Sequence, residues 1–208
     1  MRGYTYWLKS GRSPRRTRQP PVVRTDLPTI DDTVSLSFLE LMELRVVMGF
    51  VNKGVPLQRV RVAARRIGEL FGTAHPFADR RVFTDHEQVF VGVSAVESQP
   101  DLLQVSGRRA TLQLIAGRIL AHYVEEIDFD ATTSLAERWF PCGRDVPIVL
   151  DPHISFGAPV LVGTRIRTDI LALYASGNPA RTVGRAFELT SAQVGAAIDF
   201  EAQLAHAA

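Results

Sequence analysis

Cysteine is almost missing from this 208-residue sequence. Cys142 stands alone, so no disulfide can form within the chain, and a reducing interior suits it. Long apolar runs are missing too, since none approaches the roughly 18 residues of a membrane span. The first residues are basic with no continuous apolar stretch after them, so no secretory signal is expected and the chain reads as cytoplasmic. Acids are absent from residues 1–25, which carry Arg2, Lys9, Arg12, Arg15, Arg16, Arg18 and Arg24. Residues 189–208 show the reverse, with Asp199 and Glu201 and neither Lys nor Arg. The net charge of +2 hides this polarity. A basic head on a near-neutral body points to a polyanionic partner at one end.

Recognisable catalytic patterns are scarce as well. The histidines, at 75, 86, 122, 153 and 206, are scattered and form no HExxH or other close metal-ligand pair. His122 with Glu125 and Glu126 has the spacing of a helical turn, which a helix end running into a strand explains more simply. Asp128 and Asp130 alternate with Ile127 and Phe129, so they read as the solvent face of an amphipathic strand rather than a carboxylate pair on a cation. The stretch Gly157 to Gly163 is no P-loop, because Thr164-Arg165 stands where Lys-Ser/Thr would have to reach phosphate and magnesium. Ser94, Ser106 and Cys142 lie in no nucleophile elbow. No catalytic residue, metal or cofactor is expected, and the chain reads as a non-enzyme.

What is present is an ordinary globular composition, 46% hydrophobic and 22% charged, at a length that suits one large domain or two small ones. Residues 1–35 are rich in Arg, Pro, Ser and Thr, and Pro14, Pro20, Pro21 and Pro28 prevent a long helix. This segment is either a solvated arm or one that lies on a phosphate backbone, with Arg12, Arg15, Arg16 and Arg18 as contacts. A helix is expected from Ser35 or Ser37 to Val51, apolar on nearly every face, with Glu40 and Glu43 needing partners if they sit deep. It stops at Asn52-Lys53-Gly54, where Gly54 suits a left-handed position. Val55-Pro56 opens a second helix whose Leu57, Val60, Ala64, Ile67 and Phe71 share one face, with Arg59, Arg61, Arg65 and Arg66 opposite. Two helices about a short Gly-containing turn, the second basic outside, have the outline of a helix-turn-helix. Lys53, Arg59, Arg61, Arg65 and Arg66 are its candidate DNA contacts, against the plainer reading that they solvate the helix.

Beyond His75-Pro76-Phe77, the pattern predicts short strands at 81–83 and 88–93 around the turn Thr84-Asp85-His86-Glu87, a candidate wing. A further strand is expected at 102–107, a helix around 112–120, and paired strands near 124–129 and 135–140. Pro141-Cys142-Gly143-Arg144-Asp145 reads as a linker. The C-terminal quarter begins with an extended segment bracketed by Gly157 and Gly163. Three helices follow: one capped by Thr168 and ending at Gly177, one opening on Asn178-Pro179, and one whose Thr190 and Gln193 have capping-box spacing.

Family resemblance rests on the same stretches. Asp151-Pro152-His153-Ile154-Ser155-Phe156-Gly157-Ala158-Pro159-Val160, Gly163-Thr164-Arg165-Ile166-Arg167-Thr168-Asp169-Ile170 and Gly177 closely resemble a small helical domain long catalogued as of unknown function. That domain recurs in VapB-type antitoxins, the partners of PIN-domain ribonuclease toxins. Leu36 to Val47, Gly54 to Arg61 and His75-Pro76-Phe77-Ala78 look like the DNA-binding half of such antitoxins. They are similar, more distantly, to the winged helix-turn-helix of MerR-like regulators. The resemblance departs at the front, where a further helical pair is expected ahead of the basic arm and the sequence starts at Met1-Arg2-Gly3-Tyr4.

The expected architecture is therefore α+β: a winged helix-turn-helix-like part with a small sheet over 1–143, then a three-helix domain over 146–208. The resemblance implies an antitoxin of a type II toxin–antitoxin system that binds and neutralises a PIN-domain ribonuclease and helps repress its own operon by binding operator DNA. His153, Arg165, Arg167, Arg181 and Arg185 are candidate contacts to the toxin, and an Arg is a natural intruder into an acidic site because it pairs bidentately with carboxylates. His153 and Arg165 also admit a structural reading, the first satisfying its turn and the second pairing with Asp151 or Asp169. Helix-turn-helix proteins usually read two half-sites as dimers, and the all-round apolar first helix offers a seam for a homodimer. The alternatives are a MerR-like ligand-responsive regulator without a toxin and an enzyme built on an unfamiliar site.

Overall fold

The computed structural model of the chain describes residues 21–25, 27–28, 35–84 and 123–207. The arm carrying Arg12, Arg15, Arg16 and Arg18, the expected strands at 88–93 and 102–107, and the helix around 112–120 lie outside the described residues. The chain divides into two compact units. The first takes residues up to Val124 together with Phe129–Ala136, and the second takes Glu125–Asp128 and Glu137–Ala208.

In the first unit, helix α1 spans Phe38–Asn52. Ser37 caps it: the Ser37 hydroxyl accepts from the Glu40 amide at 3.3 Å, and Glu40 Oε2 accepts from the Ser37 amide at 2.7 Å. Every residue from Phe38 to Val51 is buried or half-buried, so packing inside the unit accounts for the all-round apolar character. Gly54 takes φ +82° to turn the chain. Helix α2 follows over Leu57–Phe71 and ends on Gly72, also left-handed at φ +64°. Its Val60, Ala63, Ala64 and Ile67 pack with Val46, Val47, Phe50 and Phe77 in one core that Val22 and Val23 complete.

A 3-10 turn over Pro76–Ala78 leads into helix α3, Arg80–Thr84. The sequence pattern predicts a strand at 81–83, and the structure corrects this. Asp79 is fully buried, and its carboxylate accepts from both the Arg81 amide at 2.9 Å and the Arg81 guanidinium, which starts a helical turn. Val82 and Phe83 are both buried, as consecutive residues on one helix flank can be and the alternating faces of an exposed hairpin cannot. The described part of this unit thus shows helices where the pattern predicts the start of a wing.

Strand β1 (Ile127–Phe129) pairs with β2 (Ala136–Trp139) across a turn built on Asp130, whose Oδ1 accepts from the Thr132 and Thr133 amides at 3.0 and 2.7 Å. The tip of this hairpin belongs to the first unit and its base to the second.

In the second unit, β3 (Ile148–Val149) pairs antiparallel with β4 (Val160–Leu161). Helices α4 (Thr168–Ala175), α5 (Ala180–Ala186) and α6 (Ser191–Ala207) follow. Ile148, Leu161, Leu171, Val183, Val194, Ala197 and Phe200 form their shared core. The capping box expected at α6 is present: Thr190 N donates to Gln193 Oε1 at 2.9 Å and Gln193 N to Thr190 Oγ1 at 3.2 Å. The cap expected from Thr168 is not. Arg167 holds the N-cap position, while the buried Thr168 hydroxyl donates to Glu201 Oε1 of α6 and so ties the first helix to the last. The fold is α+β with a helical first part and small antiparallel sheets. No helix among the described residues is long and apolar enough to cross a membrane.

Candidate docking surfaces

The outer surface of α2 carries four of the described cations of the first unit, Arg59, Arg61, Arg65 and Arg66. At about 100° per residue, Arg59 and Arg66 fall within roughly 20° of each other on one flank, and Arg61 and Arg65 within roughly 40° on the other. The four are therefore spread around the solvent side rather than gathered in one row. Arg61 Nη1 donates to Gln58 Oε1 one turn back. Arg61 and Arg65 also line a concavity of about 580 Å³ with Pro21, Arg24, Glu69 and Thr73. Arg24 is a cation that the helix pattern alone misses, although its place in the acid-free first 25 residues is a usable signal. Lys53 is exposed in the turn between α1 and α2.

The same unit holds a buried polar pair between α1 and the Pro76–Ala78 turn. Glu43, 2% exposed, accepts from the Phe77 amide at 3.3 Å, and its other oxygen lies 3.2 Å from His75 Nδ1. Burial pushes the Glu43 carboxyl above its ordinary value of 4.5, against the opposing pull of His75 and the Phe77 amide. These contacts supply the partners that a buried acid requires, and they pin the Pro76–Ala78 turn to α1.

The second unit presents a different face, built from two adjoining turns. The first runs from Asp151 to Gly157. Asp151 is 5% exposed, and its Oδ1 accepts from the His153 amide at 2.8 Å and stands 3.1 Å from His153 Nδ1. Its Oδ2 pairs with Arg138 of β2 at 3.2 Å. The second turn links β4 to α4. Gly163 takes φ +76°, Thr164 Oγ1 donates to Leu161 O at 2.8 Å, and the Ile166 amide donates to Thr164 Oγ1 at 3.1 Å. Ser155 Oγ donates to Arg165 O at 3.2 Å and so fastens the two turns together.

The candidate partner contacts then sort by position. His153 serves its turn through Asp151 while 76% of its side chain stays exposed. Arg165 is exposed and pairs with neither Asp151 nor Asp169. Arg167 is engaged by Asp169, which it holds below the ordinary carboxylate range. Arg181 and Arg185 are exposed one turn apart on α5. Asp128 is paired with Arg144 at 2.8 Å, and Asp130 is occupied by its turn. Among the described residues no group of three or more His, Cys, Asp or Glu side chains is placed to hold a metal ion.

Comparison with known proteins bears on both units. A protein named as an antitoxin is similar to nearly the whole chain. It is "Putative antitoxin VapB45" of Mycobacterium tuberculosis, 27% identical over 199 residues, which cover 93% of this chain and 82% of that one. The crystal structure of Rv2018 from Mycobacterium tuberculosis is similar in fold and sequence, with a TM-score of 0.66, 26% identity and 86% of each chain covered. Residues 148–200 match the family described as "Protein of unknown function (DUF433)". That segment holds β3, the two adjoining turns, β4, and the helices through Phe200.

Proposed function

We propose that this protein is the antitoxin of a type II toxin–antitoxin system. It neutralises a PIN-domain ribonuclease by direct binding and contributes to repression of its own operon through DNA. The observation that carries this reading is the antitoxin-named relative, aligned across 93% of the chain and therefore across both units. The layout of charge supports a division of labour. The basic head with Arg12, Arg15, Arg16 and Arg18, together with Lys53, Arg59, Arg61, Arg65 and Arg66, would meet the phosphate backbone. The two turns and α5, through His153, Arg165, Arg167, Arg181 and Arg185, would meet an acidic protein surface. Within that set Arg165, Arg181 and Arg185 are exposed and outside the Arg167–Asp169 and Arg138–Asp151 pairs, which leaves them placed to meet carboxylates. Binding DNA as a homodimer is part of the same proposal.

Co-expression with the product of the adjacent reading frame tests the first half. A stable complex that suppresses ribonuclease activity is expected, and a neighbour that neither binds nor cleaves RNA removes the reading. A gel shift on the upstream DNA tests the second half. Replacing Arg59, Arg65 and Arg66 together by Ala should weaken binding across sequences and lower the log–log salt slope by roughly 0.9 for each phosphate no longer neutralised. The concavity beside Arg24, Arg61 and Arg65 favours a second reading, a MerR-like regulator responding to an anionic ligand. A DNA shift released by a small anion, with no toxin bound, would select it.

A further inference from the structure

Phe156 is fully exposed, at 105% of its reference area, while every other large exposed apolar side chain among the described residues keeps part of its surface covered. Tyr174, the nearest case of an exposed aromatic, rests edge-on against Phe187 at 5.4 Å. Solvent gains nothing from an uncovered phenyl ring, and the backbone beneath it is in a conformation that L side chains avoid. Ser155 and Phe156 take φ +50° and +57°, followed by Gly157 at +77°. Only Gly157 suits that region by type. The surroundings hold the turn in place: Ile154 N donates to Asp151 O at 3.0 Å, Gly157 N to Ile154 O at 3.0 Å, and Ser155 Oγ to Arg165 O at 3.2 Å. A strained residue held by a rigid frame points to a use for the strain.

Along the chain after Phe156 the first exposed charged side chains are arginines, Arg165 and Arg167, the second paired with Asp169. Between Asp151 and Arg167 the sole acid is Asp151 itself, which is buried under His153 and Arg138. His153 and Arg165 are exposed on the same pair of turns, and Val162 adds a second apolar side chain, 42% exposed. A ring presented on this turn beside an exposed arginine and an exposed histidine has the composition of an interface anchor, where aromatics and arginines carry most of the binding energy.

We infer that Phe156 is the anchor by which the second unit docks on its protein partner, inserting into an apolar pocket of that partner whose rim carries carboxylates facing Arg165 and His153. This deepens the antitoxin reading and rests on it. The bound state covers the phenyl ring, and the left-handed backbone already fixes the direction of the Cα–Cβ bond, so the ordering cost on docking falls mainly on side-chain rotation. Arg165 adds attraction at the rim and speeds encounter more than it holds the complex.

The test uses the full-length chain and the product of the adjacent reading frame, with affinity read by titration calorimetry and stability by thermal unfolding. Phe156→Gly should weaken the complex at least tenfold. It should leave the melting temperature unchanged or raise it, because glycine accepts φ +57° without strain. Phe156→Leu should keep most of the affinity, and Arg165→Glu should slow association and reverse its dependence on salt. Binding by Phe156→Gly within twofold of wild type overturns the anchor while leaving the antitoxin reading intact. A loss of affinity accompanied by a lower melting temperature also overturns it, since Phe156 would then be structural. So does a variant that loses only self-association while still holding the neighbour's product. If the wild-type chain does not bind that product at all, both the anchor and the antitoxin reading fall.

Discussion

Glu43 places a carboxyl at 2% exposure in the middle of α1, with Glu40 one turn before it at 0%. Glu40 is engaged by the cap at Ser37, which leaves Glu43 to be stabilised by His75 and the Phe77 amide. Burial outweighs those contacts, and the folded protein holds the Glu43 proton more tightly than the unfolded chain does. Its contribution to stability is therefore complete below the ordinary value of 4.5 and is lost as the pH rises through the higher folded value. Glu43→Gln should remove that loss. The stability difference between variant and wild type should grow in the variant's favour as pH increases above 4.5, measured from denaturant midpoints across a pH series. Parallel profiles would show that the buried carboxyl does not titrate in this range. Glu43→Ala has the opposite consequence, since it strands the Phe77 amide and costs on the order of 1–3 kcal/mol.

Helices of the second unit contain two glycines with contrasting surroundings. A Cβ added at Gly184 in α5 would stand 2.7 Å from Leu189 O, a backbone atom held in place because the Leu189 amide is bonded to Gly184 O. A Cβ at Gly195 in α6 meets nothing within 4 Å. Gly184→Ala should therefore lower the melting temperature, while Gly195→Ala should stabilise by about 0.5–1 kcal/mol through the unfolded chain and helix propensity. A stable Gly184→Ala would mean that the α5–α6 connection yields easily. Features of this local kind are legible from the residues: the caps at Ser37 and Thr190 are bonds over three positions, and Gly54, Gly157 and Gly163 mark their turns by type. What is not legible depends on distant contact. The burial of Glu43 is decided by His75 and Phe77, 32 and 34 positions away, and Thr168 gives its hydroxyl to Glu201, 33 positions away, instead of capping its own helix. The helical turn after Asp79 is hidden because Val82 and Phe83 pass equally well for a short strand. The left-handed Phe156 is hidden because nothing in a phenylalanine signals positive φ.

At the scale of the whole molecule, each unit has its own core, and the chain passes between them within the β1–β2 hairpin. Residues 125–128 and 137–145 contribute to the second unit through specific bonds. Trp139 and Leu150 exchange backbone hydrogen bonds at 3.0 and 2.8 Å, Arg138 pairs with Asp151, and Arg144 donates to Glu125 O at 2.7 Å. A fragment covering 146–208 loses all of these, and each costs about 1 kcal/mol net in a chain of about 60 residues whose core is small to begin with. A fragment covering 125–208 keeps them, with the hairpin whole. The longer fragment should unfold cooperatively, retain near-ultraviolet dichroism, and melt well above the shorter one. Equal melting temperatures would place the division in the 141–145 segment and make the hairpin an ornament of this unit. The same fragment separates the two proposed activities, because it carries Phe156, His153 and Arg165 but none of the arginines of α2 or the basic head. It should bind the product of the adjacent reading frame with near full-length affinity and fail to shift the upstream DNA. A fragment that folds and yet loses the partner would show that toxin recognition draws on the first unit as well.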